Sequence, residues 1–164
     1  MISAELIRRF PFFAGLDLEQ INKLAKLGTE KIVEEGHYFF HENDELDKFY
    51  INLEGAVGIV YEVPERDVEH KVADQFARKL KTKDIVISTV GPGEMFGWPG
   101  MVPPHKARAS SKALTPCRAI AFDGSELLKE FDKDCGFGYI MTQKAAQVIG
   151  NRLRDLRVES LAFA

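Results

Sequence analysis

The chain has 164 residues, 45% of them hydrophobic and 29% charged, and its formal net charge is -3 at pH 7. This length fits one domain with a sizeable core, and the composition excludes a disordered or membrane-spanning protein. The negative balance also argues against nucleic acid as the main partner, because a phosphate-binding surface usually leaves a basic excess.

Residues 1–30 are predicted to form a helical N-terminal part. Asp17 can cap a helix from Leu18 to about Leu27, whose apolar residues follow helical spacing, and Gly28 ends it. The first residues of the chain lack a continuous apolar stretch followed by a small-residue cleavage site. We therefore expect no signal peptide and a cytoplasmic location.

Residues 31–123 alternate between short apolar segments and turn signals, which predicts the closely spaced strands of a barrel or roll. The predicted strands are 31–33, 38–41, 48–53, 56–62, 84–90, 109–114 and 117–122. Between the fourth and fifth strands, apolar residues recur every four positions among charged ones. This spacing predicts an inserted amphipathic helix over about 65–82, which either covers one end of the roll or offers a contact surface.

Residues 124–164 are predicted to be helical again, with a short helix at about 125–131 and a long one at about 136–161. The apolar stripe of the long helix consists of Met141, Ala145, Ile149, Leu153 and Leu156. The stripe is narrow enough for a helix–helix seam, so we expect a homodimer interface, although docking back on the roll would bury it equally well. No linker interrupts the chain, which we treat as a single domain, 1–164.

The stretch from Val90 to Ser111 is rich in glycine and proline. These residues are predicted to exclude regular helix and strand from Gly91 to Gly100, and they leave backbone N–H groups free to hold an anion. Arg108 follows and could complete such a site with its positive charge. A long hairpin connection is the simpler alternative.

Four sequence blocks carry a resemblance. They are F-P-F-F-A-G-L-D from Phe10, E-E-G-H-Y-F-F-H-E-N-D from Glu34, D-K-F-Y-I-N-L-E-G-A-V from Asp47 and G-P-G-E-M-F-G from Gly91. In this order they resemble the cyclic-nucleotide-binding domain family, which includes the catabolite activator protein and regulatory subunits of cyclic-nucleotide-dependent kinases. The resemblance implies a mainly β fold with flanking α-helices: a β-roll, or jelly roll, with an N-terminal helix and a long C-terminal helix that commonly forms the dimer interface.

The resemblance also implies where a ligand would bind. The corresponding residues here are Phe96, Gly97, Trp98, Met101, Arg108, Ala109 and Ser110. In nucleotide-binding members the block reads F-G-E, and its glutamate accepts the ribose 2′-hydroxyl. Trp98 stands at that position, and an indole donates one N–H but accepts nothing. The usual mode of binding cAMP is therefore not expected.

Two further family contacts differ or stay open. Counting forward from the F-G-W block places Arg108 at the phosphate-binding arginine, whereas counting backward from Cys117 places Ala107 there. We prefer the backward count, because the Pro103–Pro104 turn can vary in length. One residue of register decides whether Arg108 faces the roll interior. On the long helix, Arg152 and Leu153 stand where the catabolite activator protein presents Thr-Ser to the purine.

Two functions stay open at this point. The first is a non-enzymatic sensor that binds a small anion, with cAMP and cGMP as candidates. The second is a ligand-free dimerisation or interaction module, with an unknown protein partner and a pocket plugged by Trp98. No metal, cofactor or nucleophile pattern is recognisable. Direct DNA binding is not expected, because no helix-turn-helix follows the long helix in this sequence.

Overall fold

The protein folds into two four-stranded antiparallel β-sheets with helices at both ends of the chain, which confirms the predicted fold class. The structure is a computed structural model that describes residues 1–64 and 82–162. The helix expected at about 65–82 therefore lies outside the described residues, apart from Thr82, where a strand begins. The strands are β1 Gly28–Val33, β2 Tyr38–Phe40, β3 Lys48–Glu54, β4 Val57–Pro64, β5 Thr82–Val90, β6 Met95–Phe96, β7 Ser110–Ala113 and β8 Cys117–Asp123.

Aspartate side chains cap the start of every described α-helix except the first. The α-helices of the described residues are α1 Ala4–Arg8, α2 Leu18–Leu27, α3 Gly124–Lys133 and α4 Cys135–Ala162. The Asp17 carboxylate accepts the backbone N–H of Gln20 at 2.8 Å, and the Gln20 side chain accepts the Asp17 N–H at 2.9 Å. Asp134 likewise accepts the Phe137 N–H at 3.1 Å at the start of α4. These caps satisfy backbone donors that a helix start leaves free.

The two sheets enclose one part of the core, and the helices cover another. One sheet has the strand order β1-β8-β3-β6 and the other β2-β7-β4-β5. The outer face of the first sheet packs against the helices through Phe49 and Phe122, whose stacked rings are wholly buried with centroids 5.0 Å apart. On its inner face, Tyr50 stacks on its paired residue Phe96 of β6, and both rings lie in the core between the sheets.

The long helix α4 differs from the predicted dimer seam. Met141 and Ala145 are wholly buried in the core of their own chain, together with Phe137, four residues before Met141. The prediction that they face a second copy is not what the structure shows, because the roll already covers them. The stripe has the helical spacing that the sequence predicts, and docking against its own chain is the alternative that accounts for these two positions.

A second correction concerns the glycine- and proline-rich stretch. Within Gly91–Gly100, which the sequence predicts to be irregular, Met95 and Phe96 form the short strand β6. They pair with Ile51 and Tyr50 of β3. Two residues between glycine turns suffice for a strand here because a long neighbouring strand supplies the partner groups.

Candidate functional site: a cavity between the roll and the long helix

The turn after β6 depends on glycine at two places. Gly97 has a φ of 76°, in the left-handed region that favours glycine, and Trp98–Gly100 then form one turn of 3₁₀ helix. Gly100 lies so close to β3 that a Cβ atom would meet the backbone carbonyl of Lys48. Glycine at these two positions therefore sets the path of the turn against β3.

A cavity of about 250 Å³ lies between this turn, the second sheet and the second half of α4. Most of its wall is apolar, and two arginines interrupt it. The lining residues are Phe40, Ile59, Tyr61, Ile87, Gly97, Trp98, Pro99, Arg108, Ala109, Ile149, Arg152, Leu153 and Leu156.

Four of the seven predicted ligand-binding residues meet at this cavity. Gly97 and Trp98 come from the turn, and Arg108 and Ala109 come from the segment before β7. Trp98 is half-buried, and it lines the space without filling it. Open volume remains beside the ring, and the ligand-free alternative stays a prediction.

The other three predicted residues do not line the cavity. Phe96 is buried between the sheets, Met101 is buried in the helix-side core, and Ser110 is wholly buried. The Ser110 hydroxyl donates to the Glu62 carboxylate at 2.6 Å and accepts the Glu42 N–H at 2.9 Å. Both bonds engage the hydroxyl away from the cavity, so its predicted role as a ligand donor is not supported.

The burial of Ala107 shows which of the two residues, Ala107 or Arg108, faces the roll interior. Ala107 is buried, and its backbone is held by bonds from its N–H to Asp44 O at 2.8 Å and from the Asn43 N–H to its carbonyl at 2.9 Å. Arg108 is exposed in the bend that follows, where it lines the cavity. Ala107, the residue that the backward count gives, therefore lies in the core between the sheets, whereas Arg108 does not face the roll interior.

Arg152 is the second cation of the wall, and it is held by protein groups. It donates to the Met95 carbonyl at 3.2 Å and to the Ser88 hydroxyl at 3.4 Å, with an Asp155 carboxylate oxygen 3.9 Å away. Burial lowers the pKa of the Arg152 guanidinium, whereas the charges of Asp155 and Glu94 act in the opposite direction. An arginine stays protonated at any ordinary pH, so the wall keeps its positive charge.

The remaining residues of the predicted dimer stripe also belong to the cavity wall. Ile149, Leu153 and Leu156 line it, although Leu153 is still 48% exposed. They are apolar because they cover an opening in the roll of their own chain. Exposure of Leu153 leaves part of this surface available to solvent.

A β-bulge contributes one lining residue that the sequence analysis did not identify. Ile59 of β4 pairs with Ser88 of β5, but the next residue, Val60, pairs with Val86. Ile87 is the extra residue between them, and it lines the cavity. Bulges re-aim side chains in this way and are common beside functional sites.

The sequence carries a signal for two of the remaining lining residues. Ile59 and Tyr61 are two positions apart in one strand and so share a face, which the alternating pattern already indicates. Phe40 belongs to a predicted strand, yet nothing in the sequence assigned it to this wall. Among the described residues, no cluster of His, Cys, Asp and Glu has metal-site geometry. No described helix is long and apolar enough to span a bilayer.

Comparisons with known proteins agree with this architecture. The sequence model of one family, the cyclic nucleotide-binding domain, matches residues 30–134. The CRP-like cAMP-activated global transcriptional regulator of Mycobacterium tuberculosis is 24% identical over 123 residues, which make up 75% of this chain and 48% of that protein. The chain thus spans about half the length of the curated relatives it matches.

Solved structures give the same result for the fold. A putative cyclic nucleotide-binding protein from Geobacter metallireducens superposes with a TM-score of 0.74 at 27% identity, over 93% of this chain and 99% of that chain. The regulatory domain of Toxoplasma gondii PKA, crystallised with cAMP, superposes with a TM-score of 0.62 at 16% identity, over 88% of this chain and 48% of that chain. At 16% identity, the similarity to the Toxoplasma gondii domain shows a shared fold and nothing more.

Proposed function

The chain belongs to the cyclic nucleotide-binding domain family, and from this premise we propose that it is a non-catalytic sensor domain for a small anionic ligand. One observation carries the proposal: the turn after β6, Arg108 and the second half of α4 all line the same cavity. A ligand in that cavity would contact the rigid roll and the terminal helix at once. Binding could then change the position of the helix.

Positive charge favours an anion in this cavity. Arg108 is exposed and lines the wall, and it makes no side-chain hydrogen bond or salt bridge with the residues that the structure describes. Arg152 adds a second positive charge to the same wall. A guanidinium is a common partner for carboxylate and phosphate groups.

Cyclic nucleotides are the first ligands to test. The Mycobacterium tuberculosis relative is named as cAMP-activated, and the Toxoplasma gondii structure contains cAMP. Trp98 gives a direct signal because it is the one tryptophan of the chain and lines the cavity. We expect its fluorescence to change on titration with at least one anion from a panel of cAMP, cGMP, cyclic dinucleotides and small carboxylates.

Arg108→Gln should weaken that response, while Arg154→Gln, an exposed arginine of α4 outside this cavity, should leave it unchanged. Binding would also raise the melting temperature in proportion to ligand concentration. If neither the fluorescence nor the melting temperature changes with any member of the panel at millimolar concentration, the sensor proposal is wrong.

A homodimer through α4 is the second candidate, and it is compatible with sensing. The observation that favours it is apolar exposure on the second half of α4, where Val158 is 58% and Leu161 75% exposed, in addition to Leu153. Replacing Val158 and Leu161 with glutamate should then convert a dimer into a monomer in sedimentation equilibrium. A wild-type chain that stays monomeric at its highest soluble concentration would contradict this candidate.

A further inference from the structure

Few polar side chains line the cavity, and most of them can only donate hydrogen bonds. Among the described residues, its side chains include no carboxylate, no amide and no aliphatic hydroxyl. The polar side chains are those of Tyr61, Trp98, Arg108 and Arg152. Indole and guanidinium groups only donate hydrogen bonds, so the tyrosine hydroxyl is the one side-chain group that can also accept.

This inventory is unfavourable for a sugar. A buried hydroxyl that finds no acceptor loses its hydrogen bonds to water without replacement, which costs free energy comparable to a lost hydrogen bond. A ribose and a purine would bring several such groups to a wall of Phe40, Ile59, Ile87 and Leu156. The wall instead matches a ligand whose body is apolar or aromatic.

The two arginines differ in what they can offer. Arg152 already donates to Met95 and Ser88, and its position is fixed by these bonds. Arg108 has no such partner in the described part of the chain. One available guanidinium beside an apolar wall matches a ligand with one anionic group, and a planar carboxylate can accept two parallel N–H bonds from it.

The size of the cavity leads to the same class. Its volume of about 250 Å³ is below the range of roughly 300–1,000 Å³ that is usual for pockets of drug-sized ligands. A compound with one ring or one short chain matches this volume.

From these observations we propose that the sensed ligand is a small apolar monocarboxylate, such as an arylacetate or a medium-chain fatty acid, and not a cyclic nucleotide. This inference rests on the sensor function proposed above and specifies the ligand of the same cavity. The carboxylate binds Arg108 at the mouth, and the apolar body lies against Ile59, Ile87 and the indole of Trp98.

The test compares matched pairs on the whole chain: phenylacetate with phenylacetamide, and octanoate with octanamide, with cAMP as the competitor class. Calorimetry and Trp98 fluorescence should show binding of both carboxylates. Each neutral amide should bind about tenfold more weakly or worse, because it loses the charge-assisted bond. Arg108→Gln should remove the preference for the carboxylate, and Arg108→Lys should restore part of it.

Each contrary outcome has a distinct meaning. Tighter binding of cAMP than of either carboxylate overturns the ligand class and leaves the sensor function intact. Equal binding of acid and amide, or a preference that persists in Arg108→Gln, overturns the role of the charge at this position. Failure of both carboxylates to bind rejects the class, and the nucleotide panel then decides separately whether the cavity is a sensor site.

Discussion

The first half of α4 is part of the protein core, whereas the second half borders a cavity and solvent. Phe137, Met141 and Ala145 are wholly buried, but Ile149 and Leu156 are only half-buried and Leu161 is exposed. The same helix thus has one half fixed by packing and another held by a few contacts. Elements that respond to ligands are drawn from such weakly held regions, while the fully packed half anchors them.

The largest expected effect tests the packed half. Met141→Ala should lower the free energy of unfolding by about 2–5 kcal/mol, because it leaves a cavity in a close-packed core. Leu161→Ala, in the exposed part of the same helix, is the matched control and should change it by less than about 0.5 kcal/mol. Urea denaturation followed by circular dichroism measures both. Similar losses for the two variants would show that the halves do not differ in packing.

The next effect concerns ligand binding. At a concentration of phenylacetate 100 times its dissociation constant, binding should stabilise the native state by about 2.7 kcal/mol. Hydrogen exchange should slow in residues 149–162, whose opening disrupts the cavity. Exchange in residues 137–145 should slow less, wherever the opening that exposes their amides leaves the cavity intact. Protection confined to residues 137–145 would contradict the division of the helix.

A smaller effect is expected at the link between the second half and the roll. Arg152→Gln shortens the side chain and removes its bonds to Met95 and Ser88, so the free energy of unfolding should fall by about 1–2 kcal/mol. Hydrogen exchange should quicken in residues 149–162 before it does elsewhere. Arg157→Gln, at an exposed position, serves as the control and should alter neither measurement. An unchanged exchange pattern in Arg152→Gln would mean that packing alone holds this half.

The smallest effect is a pH dependence at the start of α4. Hydrogen bonds from Gln20 and from the Phe137 N–H lower the pKa of Asp134 below its usual value of 3.8. A carboxyl group whose pKa is lower in the folded state stabilises the protein above its unfolded pKa, and this stability is lost as the pH falls through the folded pKa.

Asp134→Asn keeps an N-capping side chain but removes the charge. The melting temperature of the wild type should therefore fall more steeply than that of the variant when thermal denaturation is followed from about pH 5 to about pH 2. Parallel curves for the two proteins would assign the acid sensitivity to other groups.

The fold could be predicted because local signals agree with one another along this chain. Asp17 marks the start of α2, and glycine turns separate short alternating strands, so each element has its own cause. Strand β6 was missed because two residues carry too little pattern, and its existence depends on pairing with β3. Sequence periodicity also indicated that the α4 stripe is buried, but it does not show which surface covers Met141.

The site was less predictable for the same reason. The glycines and the F-G-W block located the turn correctly, because the backbone conformation of a tight turn restricts which residue types can form it. The orientation of Arg108 depended on the length of the Pro103–Pro104 turn. The forward and backward counts implied different lengths, so they placed different residues at the arginine position. The resemblance placed Arg152 where the catabolite activator protein contacts the purine, but it did not indicate which groups hold the side chain. Its partners, Met95 and Ser88, come from distant segments that only the folded chain brings together.

The bulge at Ile87 makes the cavity a property of strand length as well as of composition. Deleting this one residue would give an unbroken ladder between β4 and β5 in which Ser88 still pairs with Ile59 and Val86 with Val60. The deletion would remove one apolar side chain from the cavity wall and leave the arginines and aromatic residues of the wall in the sequence. A change in strand length can therefore alter this site without any substitution in the binding motif.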